Sequence, residues 1–132
     1  MAEQTLDFWP DIATSRPRVT PLSLLKQQAA LLGKHTNNLL EGGVSSNVYN
    51  GRLLHRFFIS VPTLDYRYEL FTISHDVVGL YPVKVDSSKF YYHGKSLVTL
   101  DSEDAFVDWL KNVLSSDETK RVLGSLLAQI EQ

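Results

Sequence analysis

The sequence predicts an α+β fold: one N-terminal helix, an antiparallel sheet of five to six strands in meander order, and two C-terminal helices packed on one face. Three observations carry this. Apolar residues recur at helical spacing over 22–32 and again beyond 106, whereas from about 38 to 100 the period is two. The connections between the alternating runs are short, and parallel pairs need crossovers of a dozen residues or more. The helices sit at the ends of a block of strands, an order that covers one sheet face and leaves the other free.

Residues 1–19 read as an irregular N-terminal arm and residues 20–132 as a single α+β domain. Pro10 and Pro17 push their predecessors toward extended backbone, which disfavours a long helix in the arm. The arm nevertheless carries Leu6, Phe8, Trp9 and Ile12. The expectation is that it packs onto its own domain; the alternative is a docking peptide whose aromatic pair enters a partner's groove. Thr20 and Pro21 then open a helix as N-cap and first helical residue. Leu22, Leu25, Ala29 and Leu32 give it an apolar face, and Gly33 is the expected stop, followed by Lys34 and His35 at the negative end of the dipole.

Val44, Ser46 and Val48 alternate with Gly43, Ser45 and Asn47 in the first strand, and Gly42-Gly43 mark a bulge or a close backbone approach. Asn50-Gly51 is the hairpin signal, because both central residues of a type I′ turn need positive φ. The return strand places His55, Phe57, Ile59 and Val61 on one face and ends at Pro62. In the third strand Tyr66, Tyr68, Leu70 and Thr72 alternate with Arg67, Glu69, Phe71 and Ile73. Ser74-His75-Asp76 reads as a turn, and Val77–Val85 as a strand with an edge or bulge at Pro82. A short hairpin through His93-Gly94-Lys95 completes the block. Asp101 or Ser102 caps a helix with a Phe106, Trp109, Leu110, Val113 stripe. Ser115 and Glu118 have capping-box spacing before a last helix striped by Val122, Leu123, Leu126, Leu127 and Ile130.

Composition narrows the function classes. The chain is 43% apolar and 21% charged, in the globular range, and no apolar run approaches the length of a membrane span. It has no cysteine, which removes disulfides, thiolate ligands and thiol nucleophiles. With no secretory signal visible at Met1–Asp11, the expected location is cytoplasmic. No G-x-S-x-G or S-x-x-K motif occurs, and Ser74, His75 and Asp76 are adjacent, so their side chains diverge rather than align. His35, His55, His75 and His93 show no metal-binding spacing, and Gly42-Gly43 lies in a strand rather than before a helix. No catalytic, metal or cofactor residue is therefore assigned, and no cofactor is expected.

Charge is uneven. Residues 51–100 hold six Lys/Arg against four Asp/Glu, and the last 32 residues hold three against seven. The strand-rich half also holds most of the tyrosines, and Tyr and Arg dominate the energetic centres of protein interfaces. The reading is a non-enzymatic protein-binding module of adaptor, chaperone-like or inhibitor type. Its partner is another protein or a second copy of the chain, met through Arg56, Tyr66, Arg67, Tyr68, Tyr81 and Tyr91 on the free sheet face. Nucleic acid on the same face is the first alternative, weakened by so small a positive excess. A small-ligand or enzymatic pocket between sheet and helices is the second.

Overall fold

The computed structural model describes residues 5–17 and 19–130. After the arm and a single helical turn, α1 (Ile12–Ser15), come α2 (Pro21–His35), β1 (Glu41–Tyr49), β2 (Arg52–Val61), β3 (Tyr66–Asp76), β4 (Val83–Ser88), β5 (Thr99–Leu100), α3 (Glu103–Leu114) and α4 (Asp117–Ile130). The five strands form one antiparallel sheet in the order β1-β2-β3-β4-β5, the meander expected from the short connections. No described helix is long and apolar enough to cross a membrane.

Helix α2 starts as its sequence dictates. Thr20 Oγ1 accepts from the Ser23 N–H, and Ser23 Oγ accepts from the Thr20 N–H, closing a reciprocal cap with Pro21 at the first helical position. It runs two residues past Gly33. The left-handed positions fall instead on Asn37 and Asn38 (φ 52° and 63°), and the Asn38 N–H reaches back to the Gly33 carbonyl at 2.8 Å. Asparagine tolerates that backbone almost as readily as glycine.

Asn50 and Gly51 both have positive φ (50° and 75°) and turn β1 into β2. His55, Phe57, Ile59 and Val61 are buried, as their alternation requires. Gly42 is a close approach, not a bulge: a Cβ there would stand 2.6 Å from the Ala29 Cα of α2. Gly42→Ala is therefore expected to cost up to about 3 kcal/mol, read as a lower urea midpoint, because helix backbone has no room to yield. A wild-type midpoint would mean that α2 can lift off β1.

Two strand boundaries differ from the sequence reading. Ser74, His75 and Asp76 extend β3 rather than forming a turn, and the chain reverses only at Val77-Val78. Residues 77–82 are then loop, with a cis Tyr81–Pro82 bond, and β4 begins at Val83. His75 misled because polar residues between strands resemble a turn; here its ring is buried and partnered. The C-terminal hairpin is also shorter than expected: Tyr92 bridges Lys95 around His93-Gly94, and β5 has two residues.

Ser102 caps α3 by accepting from the Ala105 N–H. The cap of α4 is Ser116 rather than Ser115, since Ser116 Oγ accepts from the Thr119 N–H, and Ser115 ends α3. Thr119 Oγ1 donates to the Val113 carbonyl, fixing the joint between the two helices. The core lies between sheet and helices, where Phe57 stacks on Phe71 (5.3 Å), Trp109 meets Phe71 edge-on (4.9 Å) and Phe106 lies against Trp109.

Candidate functional site

Register decides which side chains share a face, because directly paired residues of antiparallel strands project to the same side. On the side away from the core, β1 offers Gly43, Ser45 and Asn47, β2 Arg52, Arg56 and Phe58, β3 Arg67, Glu69, Thr72 and Ser74, and β4 Lys84. Arg56, Arg67 and Lys84 are exposed there. The guanidiniums are organised. Arg52 donates to Ser74 Oγ and pairs with Asp76 at 3.0 Å; Arg56 lies 3.4 Å from Glu69. The Arg67 guanidinium sits 3.9 Å from the centre of the Phe58 ring, in cation–π contact. That ring occupies the space above Gly43, where a Cβ would be 2.4 Å from it. Ser74 and Thr72 are buried although they face outward, because the longer polar side chains cover them.

Of the six contact residues expected from sequence, the structure brings Arg56 and Arg67 together on this face and places the tyrosines elsewhere. The cause is Leu70. Phe57 pairs with Phe71 and Phe58 with Glu69, so Leu70 is an extra residue that resets the alternation of β3. Tyr66 and Tyr68 pair with Val61 and Ile59 and so belong to the core side, at its rim. There Lys89 donates to the Tyr68 hydroxyl at 2.8 Å and lies over the same ring. Tyr81 is in the β3–β4 loop with its hydroxyl buried, and that burial, with Glu103 nearby, pushes the phenol up. Tyr91, on the loop after β4, is exposed. Strict period-two reading could not have found Leu70's effect; its only trace is Leu70 and Phe71, two large apolar residues side by side.

On the core side α2 lies along β1, while α3 meets β5 and α4, leaving a cleft of about 570 Å³ between them. Its walls are Leu24, Leu31 and Leu32 of α2, Leu110 and Leu114 of α3 and Leu123 of α4, over a floor at Phe57 and Ile59. From sequence a pocket between sheet and helices is only the second alternative, since the same leucines at helical spacing would serve a closed core. The arm also departs from expectation. Leu6, Phe8, Trp9 and Ile12 are 71%, 87%, 79% and 61% exposed and take no part in the core.

A third feature joins His55 and His75, whose Nε2 atoms are 3.0 Å apart in the core. His75 Nδ1 faces the carbonyls of Asp76 and Gly79 at 2.8 and 2.7 Å, and a carbonyl only accepts, so this nitrogen carries the proton. His75 Nε2 then accepts from the His55 Nε2–H, and His55 Nδ1 accepts from the Ser46 hydroxyl at 2.7 Å. Burial first, then His75 and Lys26, lower the His55 pKa to about 4. Burial and these contacts hold the His55 ring neutral. Among the described residues no cluster of three or more His, Asp or Glu side chains is placed to hold a metal ion.

Compared with protein-family models, curated proteins and solved structures, the chain finds no match, so its function is read from its own residues.

Proposed function

We propose that the chain is a protein-binding module whose contact surface is the free face of its sheet, centred on Arg56, Phe58 and Arg67. The observation that carries this is the stack of Arg67 on Phe58, near the β2–β3 end of the sheet's outer face and beside Arg56. A planar ring and a planar guanidinium held flat by neighbours lose little freedom on binding, and such groups contribute most at interface centres. The engagement of Arg52, Arg56 and Arg67 with Asp76, Glu69 and Phe58 favours a protein over a polyphosphate strand, which draws on unneutralised cations.

The test is site-specific photocrosslinking in the source cells, with a photoreactive residue at Ser45 (paired with Arg56 on that face) and, as control, at Lys120 on α4. A discrete protein adduct is expected from position 45 and not from 120, weakened about tenfold or more by Arg56→Ala with Arg67→Ala. Equal adducts at both positions would refute the reading, and a nucleotide adduct at position 45 would replace it with the nucleic-acid alternative.

A further inference from the structure

The fold leaves two apolar surfaces uncovered on one chain: the arm with Leu6, Phe8, Trp9 and Ile12, and the cleft between α2 and α3. We propose that they are each other's partner across two copies, the arm of one chain lying in the cleft of the other in a reciprocal exchange. This surface is distinct from the free sheet face, so it stands or falls independently of the function proposed above.

Three considerations select a second copy as the occupant. The first is area. Aromatic side chains bury roughly 150–250 Å² each, so an arm with two of them and two aliphatic residues buries on the order of 600 Å² of its own surface. Two arms and two clefts together reach on the order of 2,000 Å², which lies in the range of stable specific interfaces. The second is charge. The polar lining of the cleft is Gln28, His35, Lys111, Ser115 and Thr119, with a lysine and no carboxylate, whereas residues 5–13 of the arm contain Asp7 and Asp11 and no basic residue. The acidic stretch 5–13, with Arg16 and Arg18 outside it, and the lysine-bearing cleft are complementary. The third is closure. Each copy carries one arm and one cleft, so exchange about a two-fold axis satisfies both and leaves neither free to propagate.

The arm is also built for this role. Pro10 and Pro17 limit the conformations that must be given up on docking, and the Trp9 N–H is already fixed on Asp7 Oδ1 at 3.0 Å. Within its own chain none of the four apolar side chains lines the cleft.

Sedimentation equilibrium of the full chain over a concentration series tests the exchange. The expected mass is twice the 14.9 kDa of the chain, with Trp9 emission shifting to the blue as dimer forms while buried Trp109 stays constant. Phe8→Ala with Trp9→Ala removes the arm's anchors, and Leu31→Asp places a charge on the cleft wall; each is expected to weaken dimerisation about tenfold or more. Mixing these two variants restores one intact arm and one intact cleft, so a heterodimer should appear where each variant alone is monomeric. Arg56→Ala with Arg67→Ala should dimerise like the wild type. A wild-type chain that stays monomeric to about 1 mM overturns the proposal, whether or not Trp9 is shielded in its own chain. So does a dimer that the arm variant leaves intact.

Discussion

Trp109→Ala is expected to destabilise the chain by about 3–5 kcal/mol. Trp109 is 1% exposed and joins two layers: its edge meets Phe71 of β3, which stacks on Phe57 of β2, while its face lies near Phe106 one turn earlier on α3. Removing the indole leaves a cavity that the sheet cannot close, because the strands on its floor are held by their own ladders. Domains of this size are stable by roughly 5–15 kcal/mol, so between about a fifth and the whole of that margin would go. Urea denaturation followed by circular dichroism measures it, with Tyr91→Ala as the matched control. That exposed loop residue should change stability by no more than about 0.5 kcal/mol. If Trp109→Ala unfolds within about 1 kcal/mol of the wild type, α3 is not anchored to the sheet as described.

Acid should weaken the fold through His55. Its folded pKa of about 4 lies below the 6.5 of the free side chain, so between those values the unfolded chain binds a proton that the folded chain refuses. Stability from this group is complete above about pH 6.5 and is lost progressively as pH falls toward 4. The full difference is on the order of 3 kcal/mol, at about 1.4 kcal/mol per pKa unit. Surface carboxylates also titrate in that window, so the discriminating measurement compares the wild type with His55→Gln, which cannot take up the proton. The wild type should lose on the order of 3 kcal/mol more than the variant between roughly pH 7 and pH 4. Parallel pH profiles would assign the acid sensitivity elsewhere. Imidazole nitrogen shifts give a direct check, with His55 expected to remain neutral well below pH 6.

What the sequence disclosed and what it withheld follow the range of the interactions involved. The Thr20-Pro21 start, the Asn50-Gly51 turn and the His55-to-Val61 alternation are settled within a few residues, and each is found where its local chemistry puts it. Ser74 and His75 were misread as a turn because their polarity is satisfied at long range, by Arg52 and by His55. The tyrosines were grouped with Arg67 although alternation sets them opposite it, and the extra residue Leu70 turns over the stretch before it, so that Arg67 rather than Tyr66 and Tyr68 faces away from the core. The close of α2 moved from Gly33 to Thr36 and the cap of α4 from Ser115 to Ser116, as competing Ser, Thr and Asn residues stand close by. The Arg67–Phe58 stack needed the register of three strands, and the cleft needed the separation of two helices, neither of which any spacing encodes.

The order in which strands neighbour one another in space is the order in which they are synthesised. During translation each new strand therefore meets a completed template, and ladder formation closes only short loops, which favours quick folding. The last layer is different. Until α3 leaves the ribosome, Phe57, Phe71 and Ile73 have only α2 to shelter them, so a nascent chain cut short before Glu103 displays an aromatic sheet to its surroundings. Chains stalled at that length are the ones that should engage chaperones or aggregate, and docking of α3 and α4 should end that vulnerability.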